Sequence, residues 1–132
     1  MIRYLLDTNL CIHVLRSPDS EVAAKFNARA RDLAISKITL HELFHGADKS
    51  RRPAFQRELV MQLASRIEVL QFDPAAAGQS GNIHAALSKT GNIIGAYDML
   101  IAGQARSLGL IVVTNNLKEF TRVEGLRCED WL

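Results

Sequence analysis

Cysteine is scarce. Cys11 and Cys128 are the only two in 132 residues. They lie far apart and form no CxxC pair, so no disulfide framework is expected and both read as reduced thiols in a cytoplasmic protein. Long hydrophobic runs are also lacking. The longest, Leu108 to Val113 with Gly109 inside it, is far too short to span a membrane. The N-terminal stretch MIRYLLDTNLCIHVLR is interrupted by Asp7 and Asn9 and shows no small-residue cleavage site, so no signal peptide is expected. Neither sign of charge dominates. Sixteen Lys and Arg against 14 Asp and Glu leave a net charge of +2, with a pI of about 8.7. That balance is compatible with a polyanionic partner without establishing one. There are no internal repeats, linkers or low-complexity segments. One domain over residues 1–132 is expected, long enough to bury a core.

What is present is a regular alternation of elements. Ile2–Leu6 is a short apolar run, long enough for a buried strand, and ends at Asp7-Thr8-Asn9. Leu10–Leu15 has a helical pattern. Ser17-Pro18 reads as the start of a further helix, with serine as cap. Leu33–Ile38 is a second strand, and Thr39 begins a helix running to about Lys49. Ala54–Ser65 is helical, with Phe55, Leu59 and Leu63 on one face. Ile67–Phe72 is a third strand and Asp73-Pro74 opens another helix. After the loop Gly91–Gly95, Tyr97–Leu108 is a helix stopped by Gly109. Leu110–Val113 is almost wholly aliphatic, as buried parallel strands are. Asn115–Phe120 is a turn and short helix, and the tail from Leu126 holds a last short strand. Strands separated by helices predict an α/β fold, a parallel sheet covered on both faces, whose ligands bind beyond the carboxyl ends of the strands.

Three acids stand at such places. Asp7 follows the first strand. Glu42 is placed in the first turn after the second strand, and Asp98 in the first turn after the Gly91–Gly95 loop. Each has a structural alternative. Asp7 could cap a turn, Thr39-Leu40-His41-Glu42 has the form of a capping box, and Asp98 could favour a helix dipole. Together they converge on one sheet edge. Crowded carboxylates repel unless a cation lies between them. Hard oxygen donors suit Mg²⁺ or Mn²⁺, which is apparatus for cleaving phosphodiesters. Thr114, Asn115, Asn116 and Glu119 follow the aliphatic strand.

A competing pattern overlaps Glu42. His41-Glu42-Leu43-Phe44-His45 fits H-E-x-x-H, a zinc-protease helix motif. A third ligand is missing. The extended motif needs glycine where Asp48 stands and histidine where Arg51 stands, leaving Glu68 or His84 as remote candidates. The histidines read instead as groove or surface residues.

With those residues placed, the sequence resembles PIN-domain ribonucleases, and more narrowly the VapC toxins of VapBC toxin–antitoxin pairs. The resemblance rests on LLDTN at 5–9, SKITLHELFHGADKS at 36–50, GNIIGAYDMLIAGQARSLGL at 91–110, VVTNNLKEF at 112–120 and VEGLRCEDWL at 123–132. It implies a three-layer α/β/α sandwich around a central parallel sheet. It implies an acidic site of Asp7, Glu42 and Asp98 holding Mg²⁺ or Mn²⁺, with Thr8, Asn9, Thr39 and Thr114 in polar support. Asn116 occupies the place where many PIN domains carry a fourth aspartate, and Glu119 is the candidate to supply that charge to the metal. The implied activity is endoribonuclease cleavage leaving a 5′-phosphate and a 3′-hydroxyl, on a tRNA anticodon stem-loop, with initiator tRNA as the narrower expectation. The implied partners are a second copy in a homodimer, higher toxin–antitoxin assemblies, and a VapB-type antitoxin that places an arginine among the carboxylates. Rival readings have specific defects. A haloacid-dehalogenase-like phosphatase needs an aspartate where Asn9 stands, and a receiver domain lacks its acidic pair. A non-catalytic RNA-binding module stays open through Asn116, and the zinc protease is a remote third.

Overall fold

The strands are short and their side chains alternate. In the computed structural model, which describes all 132 residues, strand β1 (Tyr4–Leu6) sends Tyr4 and Leu6 into one apolar cluster and Leu5 into the other. Strand β2 (Leu33–Ser36) divides in the same way, with Leu33 and Ile35 opposite Ala34. Strand β4 (Ile111–Val113) places Ile111 and Val113 opposite Val112. This is the period-two pattern of a sheet buried on both faces. Strands β3 (Glu68–Leu70) and β5 (Arg127–Glu129) complete it at the edges. The order is β3-β2-β1-β4-β5 and every pairing is parallel. The expected α/β/α sandwich is the one observed.

Four helices cover one face: α1 (Thr8–Arg16), α2 (Glu21–Ala28), α3 (Lys37–Asp48) and α4 (Pro53–Ser65). The chain then crosses to the other face through α5 (Pro74–Thr90) and α6 (Ala96–Leu108), with α7 (Leu117–Phe120) following β4. The strand order reverses between β1 and β4, because the chain runs outward to β3 and returns to the far side of β1. That reversal opens a crevice at the carboxyl ends of β1 and β4.

Helix ends account for most differences from the sequence expectations. Ser17 is the C-cap of α1, and Ser20 caps α2 by accepting from the Ala23 N–H. Pro18 therefore lies in the turn between them. Strand β2 stops at Ser36, whose hydroxyl caps α3 by accepting from the Ile38 N–H. Thr39 is thus inside the helix and Glu42 lies in its second turn, so the capping-box reading fails. Phe55 is 48% exposed; Val60 and Leu63 fill the core from α4, while the Arg52 guanidinium covers the Phe55 ring. Gly109 ends α6 in the left-handed conformation, φ 66°, as its place predicts. Gly103 lets α6 press on α5, since a Cβ there would come within 2.5 Å of the Ser80 backbone nitrogen. That contact sets the position of α6 and hence of Asp98. Both cysteines are free, and burial pushes the Cys11 thiol far up, leaving it unreactive.

Candidate active site

Asp7 is the first residue past β1 and is only 2% exposed. Its backbone N–H still donates to Val113 O, so the sheet ladder fixes it in the crevice. One carboxylate oxygen caps α1 by accepting from the Leu10 N–H at 2.9 Å. The other accepts from the Thr114 hydroxyl at 2.5 Å. Thr114 follows β4, so this bond spans the switch point. Asp7 is therefore a helix cap as well as a member of the crevice. Burial pushes its carboxyl above the ordinary range. The Thr114 and Leu10 bonds pull it back, and the charges of Glu42 and Asp130 push it up again.

Glu42 reaches the crevice from α3. Its Oε1 accepts from the Thr8 hydroxyl at 2.6 Å, which ties α3 to the first turn of α1. Asp98 lies in the first turn of α6 and meets Glu119, from α7, carboxyl to carboxylate. Asn116 Nδ2 donates to Glu119 Oε2 at 2.8 Å, and the Gly95 N–H donates to the same carboxylate. A Cβ on Gly95 would lie 3.4 Å from Asp98 Oδ2 and 4.0 Å from Glu119 Oε2. Desolvation first, then the bond to Glu119 and the charges of Glu119, Asp7 and Glu42, lift the Asp98 carboxyl to about 7. The Glu119 carboxylate, stabilised by Asp98 and Asn116, is held below its ordinary value. The pair thus keeps one proton, on Asp98, well above the usual carboxylate range.

Asn116 bears on the acids through its neighbour, its Nδ2 holding the Glu119 carboxylate. The structure brings Asp7, Glu42, Asp98 and Glu119 to one edge, but no three His, Cys, Asp or Glu side chains close into a ready-made ligand shell. The donors are all oxygens, and none of these acids is paired with Lys or Arg. The sole salt bridge, Arg57 with Asp48, is on the surface. This excess of negative charge, partly relieved by a retained proton, fits a hard divalent cation. Thr39 is fully buried and its hydroxyl has no hydrogen-bond partner. Asn9 is exposed and borders, with Thr8 and Glu42, a groove of about 570 Å³ between α1, α3 and α4. Arg16 and Lys49 lie along it. The HELFH segment builds no zinc site. His41 meets the Tyr97 hydroxyl, Glu42 is held by Thr8, and His45 lines the groove.

Two contributors escaped sequence reasoning. Asp130 adds negative charge at Asp7 and directly follows β5, so the rule that singled out Asp7 would have found it. Gly95 is legible only in three dimensions, as the cradle under two acids.

A doubly covered parallel sheet with carboxylates gathered at the β1/β4 switch point is the architecture of the PIN domain. The PIN domain family model matches residues 4–126, and the chain belongs to that family. Within it the chain is 46% identical to the tRNA(fMet)-specific endonuclease VapC of Shigella flexneri over 131 residues, 99% of each chain. It is 44% identical to ribonuclease VapC2 of Haemophilus influenzae (strain ATCC 51907 / DSM 11121 / KW20 / Rd), over 100% of each. The DNA-bound VapBC crystal structure from Salmonella typhimurium superposes with a TM-score of 0.96 at 45% identity, covering 100% of both chains. PIN-domain ribonucleases generally use divalent metal ions. No helix is long and apolar enough to cross a membrane.

Proposed function

We propose that residues 1–132 form one PIN domain, the ribonuclease toxin of a toxin–antitoxin pair, and that Asp7, Glu42, Asp98 and Glu119 hold Mg²⁺ or Mn²⁺ for RNA cleavage. One observation carries the site: four carboxylates, none of them in a salt bridge with Lys or Arg, meet at the switch point, where Asp98 retains a proton near neutrality.

A bound divalent ion would lower the pKa of water and neutralise charge on the scissile phosphate. The chain's residues do the positioning. Thr114 and the Leu10 N–H fix both oxygens of Asp7. Thr8 fixes Glu42, and Asn116 with the Gly95 N–H fixes Glu119 against Asp98. Such preorganisation spares the side chains from reordering when the substrate arrives. Asp98 must give up its proton to act as a ligand. Asn9, at the groove edge, is free to hold water or phosphate, and Thr39 offers an unengaged hydroxyl beneath. Attack in line by water would leave a 5′-phosphate and a 3′-hydroxyl.

The likeness to a relative named as tRNA(fMet)-specific supports initiator tRNA as substrate; the cut falls in its anticodon stem-loop, and the protein acts in the cytoplasm. The likeness to VapBC complexes supports a VapB-type antitoxin as partner; its arginine would neutralise the acids, and the toxin would pair as a homodimer within a larger assembly. The test is cleavage of initiator tRNA by antitoxin-free protein. Asp7→Ala, Glu42→Ala and Asp98→Asn should each lose at least about a hundredfold in rate, as expected when a charge-stabilising group is removed, while remaining folded. Full activity in any of them would mean the site is misplaced.

A further inference from the structure

The histidines of HELFH are not used by the acidic site, yet His41 makes a specific contact. Its Nε2 lies 3.2 Å from the Tyr97 hydroxyl. The ring centroids are 5.8 Å apart and the planes are tilted by 57°, so the rings do not stack on one another. His41 directly precedes Glu42 on α3, and Tyr97 directly precedes Asp98 on α6. Both rings border the groove that begins at Thr8, Asn9 and Glu42. Tyr97 remains 44% exposed. It is a large ring pinned by a hydrogen bond and not enclosed by packing.

We infer that Tyr97 stacks against an unpaired nucleobase of the RNA next to the scissile phosphate, and that His41 is a positioning residue that holds Tyr97 in place for this. The inference rests on the acidic site proposed above. Carboxylates and metal engage phosphate, which every nucleotide carries, so they cannot select where in a strand to cut. Selection in single-stranded loops comes from splayed bases, and aromatic side chains are the usual platform for them. Tyr97 is one residue from Asp98 and is held by His41, one residue from Glu42, which places such a platform beside the cut. The apolar part of the groove, with Ile12, Leu15 and Leu59, lies toward α1 and α4 and suits a protein segment better than the acid-flanked ring does.

The test measures affinity for a synthetic anticodon stem-loop of initiator tRNA by fluorescence anisotropy in EDTA. The strand stays intact there, so failure of the acidic site would appear in cleavage assays and leave the affinity readout standing. Tyr97→Ala should weaken binding about tenfold, the usual loss for one stacked base, and Tyr97→Phe, which keeps the ring but loses the bond to His41, should show only the smaller loss of His41→Ala. His41→Ala should cause a smaller loss that vanishes in the Tyr97→Ala background. A stem-loop with a single abasic loop position at the stacked base should bind wild type and Tyr97→Ala equally. Tyr97→Leu, an apolar replacement for use if the alanine variant fails to fold, should bind as weakly as Tyr97→Ala. Undiminished binding by Tyr97→Ala, or a penalty unchanged by every abasic position, would overturn the inference. So would leucine serving as well as phenylalanine, or a Tyr97→Ala defect confined to neutralisation by antitoxin.

Discussion

Replacing Asp98 with asparagine should stabilise the metal-free protein, increasingly so as pH rises. The folded Asp98 carboxyl titrates near 7 against an ordinary value of 3.8. The folded state therefore binds a proton that the unfolded state has released. Stability from this group is fully present below about pH 4 and is lost as pH climbs through about 7. At about 1.4 kcal/mol per pH unit the whole interval corresponds to roughly 4 kcal/mol. Asp98 keeps part of its surface in water and shares its proton with Glu119, so screening reduces this to about 2 kcal/mol. Asparagine does not titrate, and its amide can donate to Glu119 as the protonated acid does. Urea unfolding of wild type and Asp98→Asn in EDTA should show the gap widening in favour of the variant by about 2 kcal/mol between about pH 4 and pH 8. The same change should appear as roughly 5–10 °C in melting temperature for a chain of this size. A gap that is constant with pH, or that closes as pH rises, would mean that Asp98 does not keep its proton in the folded protein.

Other consequences follow from the same contacts. Mn²⁺ should raise the melting temperature of wild type more at alkaline than at acid pH, because it competes with the Asp98 proton, and the shift should largely vanish in Asp98→Asn. Thr114→Val removes one of the two hydrogen bonds to buried Asp7; unfolding should show a loss of about 1–3 kcal/mol, and activity at neutral pH should drop. Gly103→Ala drives a methyl group into the Ser80 backbone and should cost about 1–3 kcal/mol. Gly81→Ala, on α5 with open space around it, should stabilise by about 0.5–1 kcal/mol; the two alanine variants can be melted side by side.

The sheet was legible where chemistry is local. Leu110–Val113 is aliphatic because a central parallel strand is buried on both faces, and Gly109 marks a helix end through its left-handed backbone. Helix starts were less legible. Ser17 and Ser20 are both competent caps, and only the packing of Val22 and Phe26 on the sheet selects Ser20. Thr39 and Glu42 have the spacing of a capping box, but β2 ends early enough for Ser36 to cap α3, freeing Glu42 to meet Thr8. Phe55 fits an apolar helix face by spacing, yet α4 turns Val60 and Leu63 inward. Among the site residues, Asp7 and Asp98 were visible as acids beside predicted strand and helix ends. The role of Asn116 was not, since its effect passes through Glu119, and the pairing of Asp98 with Glu119 depends on how α5 and α6 pack.

The most direct measurement is the chemistry of the cut itself. Antitoxin-free protein is incubated with initiator tRNA in Mg²⁺, Mn²⁺ or EDTA, beside Asp7→Ala, and the fragment ends are identified by mass spectrometry. Discrete fragments with 5′-phosphate and 3′-hydroxyl ends are expected, formed with Mg²⁺ or Mn²⁺ and lost in EDTA and in Asp7→Ala. Cleavage that persists in EDTA, or fragments ending in a 2′,3′-cyclic phosphate, would contradict metal-dependent hydrolysis, because the 2′-hydroxyl would then be the nucleophile and the carboxylates would have no metal to hold.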